Sequence, residues 1–424
     1  MKKYIEVYNY YKDLILTGQY KKGDKMPSVR QSTAILNVSK TTVQNAYFEL
    51  QADGYIIAQP QSGYYVSGSA REMQNETEES PASRQILYDL RSGDADSESF
   101  NLALWQRYIK SALRQEERLL SYSIPKGEAD LREALSTYIR EKRNVIASPE
   151  RIIVGAGVQP LLGILCALAN DRRTVSFPTE GFTQGIHTFK THGFEVHTRD
   201  KNAEIIYVSP SHMTAYGDVM PIKRRLELVR HSEATGALVI EDDFDSDFMY
   251  QNKPVPSLFA LSGAGNVVYM GSFSNVLTPA IRISFMVLTE ELARRFNEIE
   301  SCLAQTASKT EQIALCGYIR DGHIAQQTRR IRRHYTAKTR AMYDAIRTAI
   351  PQAETTVSEN GLVIKVKAAF SGCAEDFIAK GLSVYIYSID NGILRAALTP
   401  SALETEQIPA AVQALKAVLE GDNT

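Results

Sequence analysis

Apolar runs of strand length alternate with helical stretches and end in glycine-containing or acidic turns, which predicts an α/β protein built on a mostly parallel sheet. Two further observations divide the chain. A compact helical pattern followed by a hairpin fills the first 68 residues, and a polar stretch separates it from the rest. The 424 residues therefore read as a small module at 1–68, a linker at 69–88 and a large domain at 89–424 with a smaller C-terminal α+β lobe.

The elements of the small module follow in order. Ile5 to Leu16 carries the apolar spacing of an amphipathic helix that stops near Gly18. Pro27-Ser28 opens a second helix through Leu36, with Ser28 as its cap. After the turn Asn37-Val38, Ser39 caps a third helix running to about Ala52, with Val43, Ala46, Tyr47 and Leu50 as its buried stripe. Gly54 to Ala58 and Gln61 to Val66 then form a two-stranded wing. Two short helices joined tightly, the second polar at its start, have helix-turn-helix architecture. That start, Ser39-Lys40-Thr41-Thr42-Val43-Gln44, sets one cation and several hydrogen-bonding groups where such a helix meets a major groove. The module holds eight Lys/Arg against five Asp/Glu, a local excess of +3 in a chain whose net charge is −1. A small helical domain with a solvated basic face would explain any one of these residues, but poorly explains the whole run.

Composition bounds the rest. With 44% hydrophobic and 23% charged residues the chain is globular. Its longest apolar stretch, Leu161 to Ala169, is too short to cross a bilayer, and Met1-Lys2-Lys3-Tyr4 lacks the apolar core of a signal peptide. Cys166, Cys302, Cys316 and Cys373 are scattered without metal-type spacing, so neither a metal site nor a disulfide framework is expected, and a cytoplasmic setting fits. Residues Ser69 to Arg84, rich in Glu, Ser, Asn and Gln, cannot bury enough surface to fold and form the body of the linker.

In the large domain the expected strands are Ile152–Val154, Thr174–Phe177, Ile205–Val208, Ala237–Ile240, Val267–Met270 and Ile283–Met286. The turns after them, among them Gly155-Ala156-Gly157, Glu241-Asp242-Asp243 and Gly271-Ser272, place a ligand site at the carboxyl ends of the strands. From about Ala337 a helical pattern leads to strand candidates Leu362–Val366, Leu382–Ile386 and Ile393–Ala397. The basic run Arg329 to His334 falls on a helix facing solvent or a second copy of the chain.

Pro27-Ser28-Val29-Arg30, Val38 to Val43 and Ser62-Gly63-Tyr64-Tyr65-Val66 together resemble a GntR-family winged helix. The resemblance implies DNA contacts from Arg30, Lys40, Thr41 and Gln44, flanked by Ser39 and Thr42, with Gln61 and Gly63 at the wing tip, and double-stranded promoter DNA as the partner. Lys40 stands where that family often has arginine. It keeps the charge for phosphate but lacks the fork that grips guanine.

The large domain resembles a fold-type I aminotransferase, and the pairing resembles the MocR subgroup of GntR regulators. The motifs are Tyr122 to Gly127 followed by Leu131-Arg132, Gly155 to Gln159, Ser209 to His212, Glu241 to Ser246, and Gly271 to Asn275 with Arg282. The resemblance implies a pyridoxal 5'-phosphate pocket. Gly157, Val158 and Gln159 would meet the phosphate at a helix N-terminus, with Ser272, Ser274 and Arg282 adding hydroxyls and a charge. Asp242 would keep the pyridine nitrogen protonated. Phe182 would stack on the ring or be simple core. His212 falls in the same pocket, and Arg395 is a candidate for a substrate carboxylate.

The pattern breaks at its chemical centre. The relatives carry lysine directly after the Ser-x-Ser turn, seven residues before the phosphate arginine, and this chain has Asn275. An amide cannot form an imine or shuttle the proton of transamination. Phe244 replaces the usual tyrosine, and Gln184 stands where some relatives have a carboxylate-binding arginine. The expectation is a ligand-responsive regulator, not an enzyme, with no catalytic residue, which senses pyridoxal phosphate non-covalently, its amino acid adduct, or a related small molecule. The competing reading is an active aminotransferase with a DNA-binding appendage. A third has the winged helix serving protein contacts alone. Fold-type I domains pair, so a homodimer is implied, with no membrane involved.

Overall fold

The structure is a computed structural model that describes residues 3–59, 62–67, 86–91, 99–179, 181–213, 218–243, 256–263, 265–359 and 361–421. The chain forms two compact units, Met1–Ser83 and Arg84–Thr424.

The first unit follows the expected order: α1 (Lys3–Leu16), α2 (Val29–Leu36), α3 (Lys40–Ala52), β1 (Ile56–Gln59) and β2 (Gly63–Val66). Ser28 and Gln31 cap α2 reciprocally, the Ser28 amide donating to Gln31 Oε1 at 2.8 Å and the Gln31 amide to Ser28 Oγ at 3.2 Å. Asn37 ends α2 in the left-handed region, and the Ser39 hydroxyl caps α3 by accepting from the Thr42 amide at 3.2 Å. Val43, Ala46, Tyr47 and Leu50 are buried, as the spacing requires, against Val7, Tyr11 and Ile15 of α1. A hydrogen-bonded relay crosses this core. Tyr11 donates to Ser32 at 2.7 Å, Ser32 joins Tyr47 at 2.8 Å, and Tyr47 donates to the Pro27 carbonyl at 2.8 Å, so three helices share one buried polar chain. β1 and β2 pair antiparallel as the wing.

In the second unit the longer helices are α4 (Leu102–Leu113), α5 (Ala129–Arg143), α6 (Val158–Leu168), α7 (Thr183–Thr191), α8 (Ile222–Thr235), α9 (Glu290–Ile299), α10 (Lys309–Arg320), α11 (His323–Ala349) and α12 (Ile408–Glu420). The main sheet uses β4 (Ile152–Gly155), β5 (Thr174–Phe177), β6 (Glu195–Thr198), β7 (Ile205–Val208), β8 (Leu238–Asp242), β9 (Val267–Ser272) and β10 (Ser284–Val287). Their spatial order is β4-β10-β9-β8-β7-β5-β6. All pairings are parallel except those of β10, which runs antiparallel to both β4 and β9. Both faces of the sheet carry a buried apolar cluster, which is why the inner strands read as continuous apolar runs. β6 escaped the sequence reading because it is an edge strand of mixed, mostly exposed residues.

The short strand β3 (Tyr88–Asp89) precedes this sheet in the chain. The C-terminal lobe holds β11 (Glu354–Val357), β12 (Ile364–Ala369), β14 (Tyr385–Asp390) and β15 (Ile393–Leu398) in the antiparallel order β11-β12-β15-β14, while β13 (Leu382–Ser383) pairs with β3. The run expected as one strand from Leu382 to Ile386 is thus split between two sheets. The linker boundary also moves. The amides of Leu87 and Tyr88 donate to the Gly381 carbonyl at 2.8 and 2.9 Å, so these residues belong to the second unit. The preceding stretch 68–85 lies outside the described residues. Helix α11 includes the basic run. Its Ile331 is buried, whereas Arg329, Arg330 and Arg333 are exposed. Ile324, Ile331 and Tyr335 enter the core beneath the main sheet, and Met342 and Ile346 enter the core of the lobe. No helix among the described residues is long and apolar enough to cross a membrane.

Candidate functional site

The first candidate surface is built by α2 and α3. Arg30, Ser39, Lys40, Thr41 and Gln44 are all exposed, and Thr42 is half-buried with its hydroxyl 2.7 Å from that of Ser39. Because Ser39 and Thr42 bond each other, their first task is to hold the helix start, leaving Lys40, Thr41 and Gln44 as the free face. Phe48 extends that face one turn further at 71% exposure and was not anticipated. Its signal was positional, since it falls between the stripe residues Tyr47 and Leu50. Gly63 takes φ +108 where β2 begins, a conformation that disfavours any side chain, and Gln61 lies outside the described residues.

The second candidate site is a cavity of about 700 Å3 at the carboxyl ends of the main-sheet strands. It gathers Gly157, Val158, Gln159, Phe182, His212, Asp242, Ser272, Ser274, Asn275 and Arg282. Gly157 is the N-cap of α6 with φ +97, and a Cβ there would lie 2.5 Å from Arg282 Nη2. The glycine therefore allows the guanidinium to sit against the start of the helix, where backbone N–H groups favour an anion. Arg282 Nη1 donates to Ser274 Oγ at 3.4 Å, and Ser272 Oγ donates to Ser274 Oγ at 3.3 Å, so the arginine and both serines form one cluster. Ser209 and Ser284 also line the cavity, and each has a buried hydroxyl oxygen with no hydrogen-bond partner among the described residues.

Three consecutive carboxylates stand at the end of β8, each with different hydrogen-bond partners. Glu241 accepts the amides of Leu258 and Phe259 at 2.8 and 2.9 Å. Asp242 accepts a hydrogen bond from the Tyr207 phenol. Asp243 is held by Arg143, whose Nε and Nη2 donate at 2.7 and 3.0 Å, and by the Tyr269 hydroxyl at 2.6 Å. Burial, reinforced by the Asp242 carboxylate, holds the Tyr207 phenol well above its ordinary pKa. The Tyr207 ring lies between Phe177 and Phe182, with centroids 4.9 and 5.4 Å away and both pairs inclined by 28°. Phe182 thus stacks on a tyrosine at the cavity wall. It packs so closely over Gly185 that a Cβ there would fall 2.2 Å from its ring.

Arg395 is not brought to the site. It does not line the cavity, it is exposed on β15, and its Nη1 donates to Ser388 at 3.4 Å. Strand alternation decides this, because Leu394 and Ala396 on either side turn into the lobe core. From the lobe it is Tyr385 that reaches the cavity, and Tyr207 joins it from the sheet. Both were missed. Phe244 lies outside the described residues. Among the described residues no lysine lines this cavity and no cluster could hold a metal ion. A second, much smaller cavity shares Ser272 and is bordered by Lys142, whose amine donates to Tyr138 at 2.8 Å and is pushed down to about 7 by burial.

A winged helix joined to an aminotransferase fold with a ligand cavity defines a helix-turn-helix transcriptional regulator with an aminotransferase-like domain. Residues 3–66 match the gntR family of bacterial regulatory proteins, and residues 85–375 match aminotransferase class I and II. The chain belongs to the MocR subgroup of the GntR family. An uncharacterised HTH-type transcriptional regulator of Bacillus subtilis, YdeL, is 30% identical over 416 residues, covering 91% of this chain and 89% of that one. The probable rhizopine catabolism regulatory protein MocR of Rhizobium meliloti is 28% identical over 400 residues, covering 85% and 80%. The pyridoxine biosynthesis regulator PdxR of Corynebacterium glutamicum is 28% identical over 350 residues, covering 78% and 76%. Among solved structures, an archaeal alanine:glyoxylate aminotransferase has a TM-score of 0.69 at 21% identity, covering 79% of this chain and 91% of its own. The α-aminoadipate aminotransferase LysN of Thermus thermophilus, complexed with a phosphopyridoxyl-leucine, has a TM-score of 0.66 at 21% identity, covering 80% and 92%. These two show the fold.

Proposed function

We propose that this regulator senses its effector in the strand-end cavity, holding pyridoxal 5'-phosphate or its amino acid adduct without covalent attachment and without transamination. One observation carries the reading. The groups suited to the phosphate and the ring, namely Gly157, Ser272, Ser274, Arg282 and Asp242, converge on one cavity in which no lysine is found among the described residues. The residues fit the cofactor at its phosphate end, where Gly157 leaves the helix start open beside Arg282. When bound, pyridoxal phosphate supplies an electron-withdrawing pyridine ring and an aldehyde open to amines. Asp242 would hold a proton at the ring nitrogen, Arg282 would balance the phosphate charge, and Asn275 would offer an amide but no amine.

The winged helix would place Lys40, Thr41 and Gln44 in the major groove of promoter DNA. Two copies would pair through the large unit in the cytoplasm, and the exposed Leu113, Leu120 and Tyr122 supply apolar surface for such pairing. The test is the visible absorption spectrum with added cofactor, before and after borohydride. The expected result is a reversible complex that releases all cofactor on denaturation, with Asn275→Lys retaining it after reduction. Cofactor fixed to the native chain by borohydride overturns the reading.

A second reading, an active aminotransferase carrying a DNA-binding appendage, draws on the depressed Lys142 amine in the cavity that shares Ser272. Steady turnover of an amino acid by purified protein, abolished by Lys142→Met, would establish it.

A further inference from the structure

Ser284 takes no part in the resemblance, yet it lines the cavity next to the residues proposed for the phosphate. In the register of the main sheet it stands opposite Gly155 on one side and Ser272 on the other. Gly155 leads into the α6 N-terminus, and Ser272 opens the serine cluster that Arg282 touches. The residue is 0% exposed, it lines the cavity, and its hydroxyl oxygen has no hydrogen-bond partner among the described residues. A buried hydroxyl left unpaired is unfavourable, and alanine would fill the same strand position without that cost. A hydroxyl in such a place is accounted for when a ligand atom completes it.

The surrounding chemistry names the ligand atom. Donors already converge here from the start of α6, the Ser272 and Ser274 hydroxyls and the Arg282 guanidinium. All of them favour an anion, and Ser284 adds another donor to the set. A carboxylate has two oxygens to satisfy so many donors. A phosphate monoester has three terminal oxygens and up to two charges.

We infer that Ser284 is a direct ligand of the effector's phosphate, and that it helps the cavity select a phosphate monoester over a carboxylate or an unphosphorylated ring. The inference rests on the cavity being the effector site. Its contribution is made only when the phosphate is present, so the free protein bears the cost of the orphan hydroxyl and the complex recovers it.

The test uses the full chain and Ser284→Ala, with pyridoxal phosphate, pyridoxal and inorganic phosphate as probes in calorimetric titrations. Thermal melts of the ligand-free proteins accompany them. Loss of one hydrogen bond to a charged group is expected to weaken pyridoxal phosphate and inorganic phosphate roughly tenfold and to leave pyridoxal unchanged. The ligand-free variant should melt at or above the native protein, which separates lost binding from lost folding. Ser284→Gly provides a second variant with the same expected binding pattern. If the native protein binds inorganic phosphate but not pyridoxal phosphate, and Ser284→Ala weakens the phosphate, the serine's role stands while the cofactor reading falls. If native protein and variants bind pyridoxal phosphate equally, the cofactor reading stands and the serine's role is overturned. If pyridoxal is weakened as much as its phosphate, or no phosphate probe binds at all, the inference is likewise overturned.

Discussion

The Tyr207 phenol donates its hydrogen bond to the Asp242 carboxylate, the group that faces the ring nitrogen in the proposed complex. The bond ties β7 to β8 at the cavity wall and fixes the middle ring of a three-ring stack. Tyr207→Phe keeps the stack and removes the donor. It should lower stability by roughly 1–3 kcal/mol, read from urea unfolding. In the native protein, ultraviolet titration should show a group of tyrosines that ionise only on unfolding, Tyr207 and Tyr269 among them, and Tyr207→Phe should remove one from that group.

Gly157→Ala would force a side chain into a positive-φ position and against Arg282. The guanidinium must shift away from the start of α6. Affinity for pyridoxal phosphate is expected to fall by at least tenfold, measured by titration at constant ionic strength. An unchanged affinity would place the phosphate elsewhere.

Lys142 gives a pH dependence with a defined sign. Its amine is depressed to about 7, first by burial and further by Arg332 and Arg143, against an opposing pull from Asp243. The unfolded chain therefore binds more protons than the folded one between pH 7 and the ordinary lysine range, so stability rises with pH across that window. Replacement by methionine should flatten this rise, as followed by denaturant midpoints at several pH values from 7 to 10. A variant whose slope matches the native protein would assign the rise to another group.

On the DNA-binding face, Lys40→Ala should weaken all duplexes alike and reduce the salt dependence by about one counterion per head. Gln44→Ala should instead relax discrimination between promoter fragments by roughly tenfold. Fluorescence anisotropy over a range of salt concentrations separates the two effects.

Ser32 is the middle of the relay joining Tyr11 to Tyr47. Ser32→Ala leaves two buried phenols short of a partner, and the small unit should lose roughly 1–3 kcal/mol of stability. Limited proteolysis should cut the small unit faster while sparing the large one.

Local chemistry explains which features were legible. Ser28 and Ser39 announce their helices because a capping oxygen acts within three residues of itself. The inner strands β4, β7 and β9 are buried on both faces and so are apolar throughout, whereas Glu195–Thr198 is half solvated and leaves no such run. The cavity residues named from sequence motifs came together because strand ends and the turns after them are set by the sheet. Tyr207 was hidden inside an apolar run, its hydroxyl visible only once β8 lay beside it. Ser284 needed the antiparallel return of β10 to bring it between Gly155 and Ser272. For Arg395 the residue type alone made it a candidate, but the direction of its side chain depends on strand alternation in β15, next to a bulge in β14.

Helix α11 is a rod of 27 residues, roughly 40 Å long, embedded in two cores. Tyr335 is its last anchor beneath the main sheet. Three residues on, the buried Lys338 amine donates to the carbonyls of Ser401 and Leu403 in the lobe. Grip passes from one body to the other within a single turn. The lobe cannot tilt as a body without bending the shaft there or carrying its far end along.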